Sequence, residues 1–226
     1  MRSIGLLFAA LILAPVVGGA GAPPKAPGWA DEQSDIPVSP RVTFGRLDNG
    51  LRYAIVPSRT PPGQLSVRLL VLAGSLYERE DQLGYAHFVE HMAFRSTRSF
   101  KADEKVRFLQ SLGVSFGPDI NAETSFTHTL YRLDFAQSGP AVVTSALKIL
   151  RDFADGLLFD ANEVDHERGV ILSEAQSGHT PDHNRDVAKF AYIYAGTLVP
   201  KRWPIGPAVS VRRARARGLR EFYDTW

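Results

Sequence analysis

The sequence predicts an α+β domain, a mostly antiparallel sheet with helices packed on one face. Three observations carry this. Strand-like and helix-like runs come in blocks (strands, helices, strands, helices) and not as repeated strand–helix pairs. The strand-like runs alternate apolar with polar residues, whereas the helix-like runs repeat apolar residues every three or four. A chain of 226 residues that is 44% hydrophobic is ordinary for a globular protein and can bury one sizeable core.

The first residues, MRSIGLLFAALILAPVVGGAGA, stand apart from that domain. Arg2 precedes an apolar run from Ile4 to Val17, and small residues follow, which is the pattern of a secretory signal over residues 1–22. The run is shorter than the ~20 residues of a membrane-spanning helix, so no stable membrane insertion is expected after cleavage. Ala20 and Ala22 are the candidate cleavage positions, and Pro23 makes Ala20 at least as good as Ala22. An uncleaved anchor is the alternative reading. Export without cysteines points to a bacterial envelope protein, in the periplasm. Residues 23–40, PPKAPGWADEQSDIPVSP, combine frequent prolines with no apolar period and read as a linker. The domain itself is expected over residues 41–226.

VTFGRLDNGLRYAIVP gives two short alternating runs around Asp48-Asn49-Gly50, a hairpin signal. LSVRLLVLAGSLYE reads as a mostly buried strand ending at Gly74. A helix follows over about Gly84 to Phe94, and ADEKVRFLQSLG is an amphipathic helix that Gly113 stops. VSFGPDINAETS and FTHTLYRLDFA read as strands, the second strongly alternating. GPAVVTSALKILRDFADGLLF is a long apolar-periodic helix. Asp160 caps the next one, DANEVDHERGVILSEAQSG, with Glu163 completing a capping-box-like start. A further helix is expected over roughly Asn184 to Leu198, and VSVRRARARGLREFYDTW is helical in pattern. Nothing after Phe222 stops that last helix, so the chain is expected to end within an element, with the C-terminal part of the domain missing.

The absence of cysteine excludes disulfides, Cys-based zinc sites and thiol nucleophiles. Any metal must be held by His, Asp or Glu. A net charge of +2 gives no reason to expect nucleic acid or a membrane surface as partner. The basic run from Arg212 to Arg217 reads as a solvated helix face, because no aromatic platform or second basic patch accompanies it.

Residues 84–94, GYAHFVEHMAF, carry the chemistry. On a helix, His87 and His91 lie nearly above one another and present two imidazoles to one point, with Glu90 on the same broad face. H-x-x-E-H is the inverzincin arrangement, the reverse of H-E-x-x-H. Neutral imidazole suits Zn²⁺, and catalytic zinc keeps three protein ligands and one open position. Two partly exposed, solvated histidines are the competing reading. The apolar neighbours weigh against it, because buried and unpartnered His and Glu would be costly. A third ligand must come from elsewhere. The best donor is HERGVILSEAQ, where Glu167 and Glu174 lie two turns apart on one face. Two solvated surface carboxylates are the alternative there.

AGSLYEREDQLGYAHFVEHMAFRST, followed downstream by HERGVILSEAQ, resembles the pitrilysin-type (M16) zinc metallopeptidases, which include insulin-degrading enzymes and mitochondrial processing peptidase. The similarity runs from about Val42 to Trp226 and includes LDNGLRYAIVP, INAETSFTHTLYRL, WPIG and LREFYDTW. The resemblance implies an M16, LuxS-like metallohydrolase-type domain holding one Zn²⁺. It implies that His87, His91 and Glu174 are the zinc ligands and that Glu90 is the general base for the attacking water. Glu167 would be a second glutamate supporting the ligands from behind. Asn121 and Ala122 would belong to a strand that pairs with substrate backbone. The expected function is zinc-dependent hydrolysis of peptides or unfolded segments. A second M16-like domain or subunit would close over the substrate and bring an Arg/Tyr pair. The alternatives are a non-catalytic peptide-binding or partner subunit, or a zinc-binding fragment inactive without its second domain. His166 and Ser96 depart from the family pattern, where an acid and a glycine are usual. His128, His179 and His183 are given no role.

Overall fold

The computed structural model describes Trp29, residues 34–115 and residues 117–226. The expected leader, residues 1–22, lies outside the described residues, as does most of the expected linker; its residues 34–40 are irregular and exposed. The chain divides into two compact units, residues 1–58 and 59–226.

In the first unit, β1 (Thr43–Arg46) and β2 (Arg52–Ile55) form the predicted antiparallel hairpin, with Thr43 opposite Ile55 and Arg46 opposite Arg52. Its turn requires a left-handed residue, and Gly50 supplies one with φ +89°. Asn49 Oδ1 then accepts the Leu51 N–H at 3.1 Å.

The second unit builds a three-stranded antiparallel sheet from β3 (Leu65–Val71), β4 (Ile120–Thr124) and β5 (Thr129–Phe135), in the order β3-β5-β4. Alternation decides its faces. Thr129, Tyr131, Leu133 and Phe135 of β5 are buried, and the residues between them are half-buried. Around the sheet run α1 (Tyr85–Ala93), α2 (Ala102–Ser111), α3 (Pro140–Asp155), α4 (Ala161–Ser177), α5 (Pro181–Ile193), α6 (Ala208–Arg213) and α7 (Ala216–Thr225). Phe88 and Met92 of α1 meet Leu133 and Phe135, Ile149 and Phe153 of α3, Ile171 of α4 and Leu219 of α7 in one core. This is the predicted α+β architecture.

Four local expectations change. β3 is half-buried, not mostly buried: Leu70 is 52% exposed, and no strand flanks β3 on its outer side among the described residues. α5 begins earlier than expected because Thr180 caps it, accepting the His183 N–H at 3.2 Å with Pro181 in the first turn. It also ends earlier, and Gly196 then takes φ +81°. The last helix is two helices, broken at Ala214 and Arg215. There Arg168 of α4 donates to the carbonyls of Val211 at 3.2 Å and Ala214 at 2.7 Å, which stabilises the interruption. Finally, Asp160 caps α4, accepting the Asn162 N–H at 2.9 Å, but Glu163 does not complete a capping box. Its carboxylate is taken by Ser96, whose Oγ donates at 2.6 Å and whose N–H donates at 3.1 Å. Ser96, a departure from the family pattern, thereby ties α4 to the segment that leaves α1.

Lys105 of α2 is wholly buried, and burial pushes its pKa down to about 7 against the pull of Asp152 and Glu163 and with the push of Arg95. The folded state thus holds this proton more weakly than the unfolded chain. The contribution is complete above about 10.5 and is lost as pH falls toward 7. Lys105→Met is expected to remove this part of the rise in stability between those pH values, an effect on the order of a few kcal/mol. Thermal midpoints of parent and variant across that range give the test, and parallel curves would sink the assignment.

Candidate metal centre

Helix α1 is buried along almost its whole length, which its apolar GYA and MAF flanks require. It starts at Gly84, a left-handed residue with φ +88°. Gly206 packs against it so closely that a Cβ on Gly206 would lie 2.5 Å from the Gly84 Cα. Helix α4 crosses nearby with Glu167 buried and Glu174 half-exposed.

Between the two helices, His87 Nε2 lies 3.7 Å from Glu174 Oε1, and His91 Nε2 lies 3.3 Å from Glu174 Oε2. The imidazole centroids are 4.7 Å apart, with the rings at 79°. One ligand atom from each of His87, His91 and Glu174 falls within 4.8 Å of the others, and this is the one such His/Asp/Glu group among the described residues. The two His–Glu separations, 3.7 and 3.3 Å, lie near the value for zinc, because bonds of about 2.0–2.1 Å in a tetrahedron put ligand atoms about 3.3–3.5 Å apart.

Behind the group, His91 Nδ1 lies 3.1 Å from Glu167 Oε2. A carboxylate partner makes Nδ1 the donor and leaves the Nε2 lone pair facing Glu174. Arg95 Nε approaches the other Glu167 oxygen at 3.5 Å. His87 Nδ1 is buried and has no hydrogen-bond partner among the described residues. Burial, and then the neighbouring His91, push the His87 pKa down to about 3, so its ring is neutral at neutral pH. Burial opposes charge on His91, but the Glu167 hydrogen bond and the charges of Glu90, Glu174 and Glu167 prevail and raise its pKa. Two imidazoles and one carboxylate form the donor set that zinc favours, and three ligands leave a fourth position.

Glu90 is buried beside this group and does not belong to it. Its Oε2 accepts the Thr124 hydroxyl at 2.5 Å. Burial raises its pKa, opposed by the Thr124 bond and His91 and reinforced by Glu174 and Glu123. Thr124 ends β4, the strand that also carries Asn121 and Ala122. No strand pairs with the far edge of β4 among the described residues. The Ala122 N–H donates to Asn121 Oδ1 at 2.9 Å.

The remaining singled-out residues lie apart from the group. His128 meets Ser125 Oγ at 2.9 Å, and His183 packs against Trp203 with ring centroids 5.4 Å apart. His166 is exposed, 4.0 Å from Glu167. Thr124 was missed by sequence reasoning. Its signal was available, because residues i and i+2 of a strand share a face and Thr124 follows Ala122 by two. Glu78 was missed as well. It is an acid shortly before a glycine-started helix, and it accepts the Gly84 and Ala86 N–H groups, both at 2.9 Å.

The model of a family described as Insulinase (Peptidase family M16) matches residues 53–189. The "Probable zinc protease PqqL" of Escherichia coli is 34% identical over 191 residues, covering 84% of this chain and 20% of the relative. The chloroplastic stromal processing peptidase of Pisum sativum is 31% identical over 196 residues, covering 85% of this chain and 15% of the relative. The crystal structure of the first half of the periplasmic protease PqqL from Escherichia coli matches with a TM-score of 0.81 at 34% identity, over 84% of this chain and 41% of that one. The chain therefore spans about a fifth of the length of the PqqL relative or less of the processing peptidase.

Proposed function

The chain belongs to the insulinase family, peptidase family M16, and from that premise we propose that residues 41–226 form the metal-holding part of a zinc endopeptidase acting on peptides or unfolded segments. One observation carries the reading: ligand atoms of His87, His91 and Glu174, from two helices distant in sequence, converge within 4.8 Å. Those three residues would hold the ion. When bound, zinc supplies a Lewis acid that polarises a carbonyl and makes water acidic enough to deprotonate near neutral pH.

The chain's own residues divide the rest of the work. Glu90 takes the proton of the attacking water and delivers it to the leaving amine, a task its raised pKa suits. Thr124 holds the Glu90 carboxylate in one orientation. Glu167 fixes the His91 tautomer through Nδ1. The edge of β4 at Asn121 and Ala122, unpaired among the described residues, takes the substrate backbone as an added strand, so that the peptide runs past Glu90. Recognition through main-chain bonds tolerates varied sequences. The leader-like residues 1–22 and the periplasmic PqqL relative support a periplasmic location.

A second reading is favoured by the spans above: a zinc-binding part that turns over only with a second M16-like domain or subunit. Metal analysis of the full chain, followed by incubation with zinc and a mixed peptide library, separates the two. One zinc per chain with cleavage supports the first reading, and one zinc without cleavage supports the second. No bound zinc would overturn both.

A further inference from the structure

Helix α1 is anchored at both ends by buried ionisable side chains that come from other segments. Its N-cap, Gly84, has no side chain to satisfy the free N–H groups that every helix start exposes. Glu78 fills that place. Its Oε2 accepts the Gly84 N–H and its Oε1 the Ala86 N–H, both at 2.9 Å, from a position only 5% exposed. At the other end, Lys105 Nζ donates to the carbonyl of Ala93 at 2.7 Å and to that of Arg95 at 2.5 Å, with the residue wholly buried. An acid at a helix start and a base at its end are the signs the helix dipole favours. Neither residue makes a direct ion pair within 4 Å among the described residues. Burial raises the Glu78 pKa to about 7 against its backbone bonds and the Arg202 charge, and burial and Arg95 lower that of Lys105 to about 7 against Asp152 and Glu163, so the backbone bonds define the anchoring.

The anchored atoms bracket the proposed ligands closely. Ala86 precedes His87 by one residue, and Ala93 follows His91 by two. A helix turns about 100° and rises about 1.5 Å per residue, so a small slip of α1 would carry both imidazoles away from Glu174. Apolar side chains of the same volume would fill the same space but would leave these backbone N–H and carbonyl groups unpaired, so the two residues hold the ends of α1 by directed hydrogen bonds that packing does not replace.

We propose that Glu78 and Lys105 are positioning residues that fix the depth and rotation of α1, so that His87, Glu90 and His91 meet Glu174 and the β4 edge. The proposal rests on the metal-centre reading above.

The test uses the full chain and its Glu78→Gln and Lys105→Met variants, with the parent measured first. Zinc affinity is read by competition with a chromophoric chelator. Ligand geometry is read from the visible spectrum of the cobalt(II)-loaded protein, and the metal-free fold from circular dichroism and thermal unfolding. Each variant is expected to stay folded, to bind zinc about ten- to a hundredfold more weakly, and to show an altered cobalt spectrum. A folded variant with zinc affinity within about twofold of the parent and an unchanged cobalt spectrum would overturn the proposal. If Lys105→Met fails to fold, Glu78→Gln decides, since it keeps the shape and one acceptor oxygen. A parent that takes up no zinc defeats the metal-centre reading itself, and that result is distinct from a parent that binds zinc alongside variants that bind it equally well.

Discussion

Glu90→Gln is expected to leave zinc binding intact and to cut peptide hydrolysis by about 10²–10⁴-fold, the usual contribution of a positioned general base. Glu90 lies beside the convergent ligand atoms but is engaged elsewhere, accepting the Thr124 hydroxyl at 2.5 Å. Gln is isosteric and keeps an acceptor for that hydroxyl, so the fold and the metal donors stay in place. What disappears is the basic oxygen. The measurement pairs metal content with kcat on one peptide, in whatever form of the protein turns over. Parent-like kcat in zinc-loaded Glu90→Gln would remove Glu90 from the mechanism. Loss of zinc from the variant would instead make it a ligand.

Helical periodicity made the shared faces of the candidate site legible, whereas the division of roles among its residues came only with the family resemblance. His87, Glu90 and His91 share a face by their spacing on α1, and Glu167 and Glu174 share one by lying two turns apart on α4. Burial of α1 followed from its apolar neighbours. The sheet was legible where strands alternate cleanly, as in β5, and in the hairpin, where Gly50 supplies the turn.

What escaped depends on which partner a polar group finds in three dimensions. Lys105 sits among charged residues on an amphipathic helix and reads as solvated, yet the carbonyls of Ala93 and Arg95 draw it inside. Glu163 fits a capping box by spacing, and Ser96 recruits it away. The helical pattern across Ala214 is unbroken in sequence, but Arg168 meets the carbonyls of Val211 and Ala214 at the break. In each case a hydrogen bond to a partner on another segment outweighs the preference that helical spacing expresses, and spacing does not name that partner.

The same distinction between local spacing and spatial role separates the two glutamates of α4. They are the same residue type on one helix face, so spacing gives them equal standing. In space, Glu174 faces both His87 Nε2 and His91 Nε2, whereas Glu167 faces His91 Nδ1 on the far side of the ring. Glu174→Ala is therefore expected to lose stoichiometric zinc, because two imidazoles alone leave the ion without one of its three protein ligands. Glu167→Ala is expected to keep zinc at saturating concentration but to bind it about 10–100-fold more weakly, since it frees the His91 ring without removing a donor atom. Glu167→Gln should fall between the parent and Glu167→Ala, because its side-chain carbonyl still accepts the Nδ1 hydrogen. Zinc titrations of the three variants against a chelator of known affinity give the order directly. Equal losses in Glu174→Ala and Glu167→Ala would mean that the carboxylates do not divide into ligand and support, and the three-ligand reading would have to be replaced.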